Sequence, residues 1–126
     1  MESATVSGLS IFKVSRSDDT LIVEPLRNVS SLAGDGLQAE IDALVAELDD
    51  PGLKHVVLDF GRVAYFGSAM LEAMQELGRR VRRNSGKLAS CNVSVVGREV
   101  LHVVKFDAMW PVFDTREGAM AAIHAE

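Results

Sequence analysis

Apolar and polar positions along this chain change period several times, and each change marks an element. "LSIFKVS" (9–15) and "TLIVEPL" (20–26) are rich in aliphatic and β-branched residues and flank the turn-like "RSDD" (16–19). They predict two strands of a hairpin, the second closed by Pro25. "RNVSSLAG" (27–34) predicts a polar loop. From Asp35 the period becomes helical: Leu37, Ile41, Leu44, Val45 and Leu48 share one face, Asp35 with Gln38 resembles a capping box, and "DDPG" (49–52) ends the helix. "HVVLDF" (55–60) is a short apolar run suited to a strand covered on both faces. A second helix is predicted from Ser68 to Arg83, with Met70, Leu71, Met74, Leu77, Gly78 and Val81 inward and "NSG" (84–86) as its stop. "KLASCNV" (87–93) predicts a strand, and "REVLHVVKF" (98–106) a third helix with Val100, Leu101 and Val104 inward. "WPVFD" (110–114) predicts a final short strand, and Thr115 caps a fourth helix carrying Ala119, Met120 and Ile123.

This order places the chain in the α/β class: a mixed, mostly parallel β-sheet with an antiparallel N-terminal hairpin and about four helices. Residues 1–8 are expected to form a flexible tail and residues 9–126 a single domain. The length, 126 residues, suffices for one core without disulfides or metals. No apolar run is long enough to span a bilayer, and "MESATVSG" lacks the basic-then-apolar plan of a signal peptide. The single cysteine, Cys91, makes no internal disulfide, which points to a cytoplasmic home. A net charge of −5 works against nucleic-acid binding.

In open α/β sheets, function collects where strand ends feed helix starts. The best-defined joint of this kind is "DFGRVAYFGSAM" (59–70). Ser68 there reads in two ways: as a helix cap, or as a hydroxyl offered at the positive end of a helix where it can carry phosphate. The residues alone leave both open. Asp59 does not read as a phospho-acceptor with a magnesium site, because Asp18 and Asp19 lie in the hairpin turn before a strand, at the wrong end; it reads as ordering the loop before Ser68. "GDGLQA" (34–39) matches a dinucleotide fingerprint in letters only, since its glycines do not follow a strand and Asp35 would repel a pyrophosphate. Arg79, Arg80, Arg82 and Arg83 suit the C-terminal end of the second helix and read first as a solvated face, second as a patch for an acidic partner, with Glu76 placed to pair with Arg80. Cys91 sits mid-strand and is expected to be an inert thiol. His55, His102 and His124 lack metal-ligand spacing, so no metal site is expected. With no nucleophile–base pair and no phosphate-cradling loop, neither enzymatic turnover nor a cofactor is expected.

"HVVLDFGRVAYFGSAMLEAMQELGRRVRRNSGKLASCNVS" followed by "VLHVVKFDAMWPVFDTREGAM" resembles the STAS domain (sulphate transporter and anti-sigma factor antagonist) over roughly residues 9–124. The resemblance implies a mixed sheet flanked by helices. It also implies the role of stand-alone members, anti-sigma factor antagonists, which bind a serine-kinase anti-sigma factor and are switched off when it phosphorylates the serine that opens the second helix. That position is Ser68. The family motif there is D-S-x-G, whereas this chain has Gly67 in place of the aspartate and Met70 in place of the glycine. The implied docking surface comprises Asp59, Gly67, Ser68, Ala69 and Met70, with Asn28, Ser30 and Ser31 of the polar loop nearby. The resemblance implies a protein partner, neither nucleic acid nor membrane insertion, and regulated partner switching. Two other readings stay open: a STAS subunit of a membrane transporter, and a small-ligand or nucleotide-binding module.

Overall fold

The computed structural model describes the backbone of residues 3–4 and, in full, residues 9–27 and 36–125. Among the described residues, six strands follow one another across the sheet in chain order. They are β1 (Ser3–Ala4), β2 (Phe12–Ser17), β3 (Thr20–Pro25), β4 (His55–Asp59), β5 (Leu88–Cys91) and β6 (Val112–Phe113). The β1–β2 and β2–β3 pairings are antiparallel, and β3–β4, β4–β5 and β5–β6 are parallel. The mixed sheet and its N-terminal hairpin are therefore as the pattern predicts. The described residues also form five helices: α1 (Leu37–Glu47), α2 (Ser68–Arg83), α3 (Val95–Val103), the one-turn α4 (Phe106–Met109) and α5 (Arg116–Ile123).

Alternation along the parallel strands divides two cores. Leu21 and Val23 of β3, Val56 and Leu58 of β4 and Leu88 of β5 meet Leu37, Ile41 and Leu44 of α1, Met70, Met74, Leu77 and Val81 of α2, and Leu101 of α3. The intervening Ile22, Val57, Ala89 and Cys91 face the opposite way and are covered by Ala119 and Ile123 of α5. The inward face of α2 is the predicted one, while Glu72, Gln75, Arg79 and Arg82 are exposed. Burying each large apolar side chain contributes about 1.5 to 3 kcal/mol, so this amphipathic face holds the helix in place.

Several boundaries differ from expectation, each for a local reason. The predicted tail contains β1, whose Ser3 and Ala4 pair with Arg16 and Ser15. Arg16 and Ser17 belong to β2, and the hairpin turns on Asp18 and Asp19 alone, with Asp18 at φ 53°, a left-handed value aspartate tolerates. Helix α1 starts at Leu37 behind Gly36 (φ 73°), with no side-chain cap. Gln38 donates along the helix to Asp42 instead of closing a capping box, and Asp35 lies outside the described residues.

The third predicted helix starts earlier and splits. Ser94 caps α3 by accepting from Gly97 N–H at 3.0 Å, and Lys105 at φ 62° breaks the run into α3 and α4. As a result Val104, expected inward, is exposed, Val100 is half-buried and Leu101 is buried. Thr115 caps α5 as expected, accepting from Gly118 N–H at 3.0 Å.

Candidate functional site

Asp59 ends β4, and an eight-residue loop carries the chain to Ser68 at the start of α2. Two buried rings pin that loop: Phe60 and Phe66 pack with centroids 4.8 Å apart. Phe60 N–H donates to Cys91 O at 3.0 Å, and Ser94 Oγ donates to Ala64 O at 2.5 Å, tying the loop to β5 and to the head of α3. Gly97 lets α3 approach, because a Cβ there would meet Val93 at 2.7 Å and Phe66 at 3.0 Å.

Asp59 is the electrostatic knot beneath the loop. Its Oδ1 accepts from Gly61 N–H (2.9 Å) and Asn92 Nδ2 (3.0 Å), and its Oδ2 accepts from Arg116 Nε (2.9 Å). Burial alone pushes this carboxyl up, but the bonds from Asn92, Gly61 and Arg116 outweigh it and hold the pKa below the ordinary value. Arg116 also reaches Glu24 Oε1 at 3.2 Å, and Arg62 pairs with Glu24 Oε2 at 2.9 Å. The carboxyl end of β3, the end of β4 and the start of α5 are thereby linked. Asn92 makes its contact from a left-handed backbone (φ 56°). Neither Arg116, Glu24 nor Asn92 carries a local sequence signal. The one available clue is chemical: an acid ending a run of buried strand residues requires a cation from somewhere.

Ser68 is not the helix cap. The N-cap is Gly67, in extended backbone (φ −108°, ψ −164°) with no side-chain cap bond, and Ser68 is the first helical residue. Its side chain is exposed, and its hydroxyl has no hydrogen-bond partner among the described residues. Of the other residues expected at a docking surface, Asp59, Ala69 and Met70 are buried, so none of the three presents a side chain to solvent. Gly67 is half-buried beside Ser68, and Asn28, Ser30 and Ser31 lie outside the described residues. The structure also exposes three apolar or aromatic side chains that the sequence reading did not single out: Tyr65 in the loop, and Val95 and Val96 on the first turn of α3.

The remaining candidates resolve differently. Cys91 is fully buried, and burial, with Asp59 beside it, pushes its thiol up to about 12. Arg80 pairs with Asp49 rather than Glu76, and Arg82 lies over the Trp110 ring, 5.2 Å from its centroid. His55 and His124, far apart in sequence, come together around Asp19 at the opposite end of the sheet from Ser68. His55 Nδ1 accepts from Lys87 N–H at 2.9 Å, so its proton sits on Nε2, facing Asp19. His124 bridges Met120 O (2.9 Å) and Asp19 Oδ1 (2.8 Å), a pairing that suits the doubly protonated ring. With the free electron pair of His55 already engaged, the cluster is a hydrogen-bonded clasp rather than a ligand set for a metal.

Among the described residues, no helix is long and apolar enough to cross a membrane. The STAS domain model matches residues 12–119. A Bordetella bronchiseptica protein, BtrV, whose name describes it as an anti-sigma factor antagonist, is 34% identical over 105 residues, covering 82% of this chain and 87% of its own. The STAS domain protein of Planctomyces limnophilus superposes with a TM-score of 0.74 at 23% identity, over 90% of this chain and 98% of that one. The Bacillus cell-fate determinant SpoIIAA in its phosphorylated form gives 0.65 at 16% identity, over 90% and 99%. These two likenesses concern the fold. With the family model covering nearly the whole domain and a relative above 30% identity beside it, the chain belongs to the STAS domain family.

Proposed function

We propose that this chain is a cytoplasmic, non-enzymatic anti-sigma factor antagonist that works by partner switching. Its partner is an anti-sigma factor with serine-kinase activity, and Ser68 is the residue that kinase modifies. The observation that carries this reading is the placement of Ser68. Its hydroxyl is exposed, makes no hydrogen bond among the described residues, and stands at the start of a sixteen-residue helix on an anchored loop. A helix start carries unpaired amides and a partial positive charge, so a phosphate added there is accommodated without unfolding α2. The added charge of about −1.5 to −2 then alters the same surface that docks the partner. Gly67, Ser68, Tyr65, Val95 and Val96 form the contact face, and buried Asp59, Ala69 and Met70 shape it from beneath. The name of BtrV supports the general role.

The test is binding and phosphotransfer with the anti-sigma factor recovered from the native organism. The expected outcome is ATP-dependent phosphorylation of wild type that is absent in Ser68→Ala, with Ser68→Ala binding like wild type and Ser68→Asp binding more weakly. Equal affinity of all three, with no phosphate at Ser68, would overturn the reading.

A further inference from the structure

A cleft of about 320 Å³ lies at the far end of α2, between its last turns and α4. Its floor is apolar: Trp110, Phe106, Met109 and Val104. Gly78 permits this floor, because a Cβ there would meet the Trp110 indole at 2.7 Å, so the ring lies directly against the α2 backbone. The rim is cationic, with Arg79, Arg82 and Lys105, and among the described residues no acidic one lines the cleft. That is three positive charges in a chain whose net charge is −5. Of the nearby acids, Asp107 pairs with His102 at 3.2 Å, and Glu72 and Glu76 line a neighbouring groove against α1 that Arg79 also borders. Among the described residues, neither Arg79 nor Lys105 has a carboxylate partner, and Arg82 rests on the Trp110 ring. Lys105 projects from a left-handed backbone (φ 62°), a costly conformation for lysine, and it is the residue that breaks α3 from α4 and opens the cleft.

The apolar surface also extends beyond the cleft. Val103 is 78% exposed, Val104 42% and Met109 54%, more than a small ligand seated in the cleft would cover. A floor of aromatic and aliphatic groups ringed by unpaired cations complements a chain that carries both carboxylates and apolar side chains. We propose that this cleft is a second docking site, for an acidic segment of a protein partner whose apolar side chain seats on Trp110 and whose carboxylates pair with Arg79, Arg82 and Lys105. It goes beyond the role of Ser68, which sits at the other end of the same helix.

Trp110 is the chain's single tryptophan, so its fluorescence reports on this cleft alone. The full chain is titrated with the Trp-free peptide acetyl-DELFEELL-amide, its basic counterpart acetyl-KKLFKKLL-amide, its apolar-free counterpart acetyl-DESSEESS-amide, and decanoate. The acidic apolar peptide is expected to give a saturable change in emission that fades as NaCl rises from about 50 mM to about 500 mM. Affinity should fall about fivefold or more in Arg79→Glu and in Lys105→Gly. The second variant removes the charge while suiting the left-handed backbone, so a folding defect does not confound it. Ser68→Asp should bind the peptide like wild type, which separates this site from the phosphorylation reading. An equal response to the basic or apolar-free peptide would overturn the proposal. Saturation by decanoate with no response to peptide would overturn it in favour of a small amphiphile. An emission change with protein concentration alone would overturn it in favour of a second copy of the chain.

Discussion

At Gly67 the chain does without a helix cap that it has room to make. A Cβ there would meet only the Tyr65 hydroxyl, 4.0 Å away, and the backbone is in a region open to any residue. Gly67→Asp should therefore stabilise the fold by roughly 0.5 kcal/mol, by capping α2 and by favouring its positive end, as urea melts would show. Ser68→Ala, by contrast, removes no cap bond and should change stability by less than about 0.5 kcal/mol. That near-neutrality lets binding differences at Ser68 be compared at matched stability. Ser90 offers a second test. Its hydroxyl, fully buried in β5 on the Leu88 face, has no hydrogen-bond partner. Ser90→Ala should raise the melting midpoint, with a gain of about 1 kcal/mol from removing an unpaired buried group.

Among the elements, α1 and α2 were legible because their apolar positions repeat with one helical period, and β4 because its apolar run is short and unbroken. Glu40 was legible in principle, as an acid on the stripe of Leu37, Ile41 and Leu44. It is buried and accepts hydrogen bonds from Ser10, Ile11 and Phe12, clamping the chain ahead of β2 to α1. The α3–α4 break was not legible, because Lys105 adopts a left-handed conformation that its side chain does not advertise. The choice between the two readings of Ser68 was not legible for a related reason: one residue of shift at a helix start turns a capping side chain into an exposed one, and no spacing rule resolves one residue. Where α2 ends and β5 begins, Gly86 packs so closely that a Cβ would lie 1.7 Å from Lys54 O. Backbone rather than a movable side chain stands in the way, so Gly86→Ala should cost about 3 kcal/mol or more in a urea melt.

Across the whole molecule, ionic groups hold both ends of the sheet, and at one end two histidines respond to pH in opposite senses. At one end, the bond to Asp19 raises the pKa of His124, whose contribution is complete below about 6.5 and is lost as pH rises through its folded value. Burial lowers the pKa of His55, whose contribution is complete above about 6.5 and is lost as pH falls through its folded value. NMR titration of the imidazole protons should find His124 titrating above a free histidine and His55 below it. At the other end, Arg116→Ala would leave the Asp59 carboxylate buried without its cation. The expected cost is roughly 2 to 3 kcal/mol by chemical denaturation, with Arg116→Lys recovering part of it. Neither cluster was readable from the sequence, since Asp19 with His124 and Asp59 with Arg116 meet only once the sheet has formed.

The strand order has a consequence for how the chain is made. Every strand pairs only with its neighbours in the chain, so no late strand must wedge between two earlier ones. As the polypeptide leaves the ribosome, the sheet can grow from one edge, each crossover helix closing over the strand just added. The exception is the second face. Ile22, Val57, Ala89 and Cys91 are laid down early, yet their cover, Ala119 and Ile123, is made only after β6. Until α5 emerges, an apolar sheet face stays open to water, and a nascent chain stalled before α5 would be a natural client for chaperones.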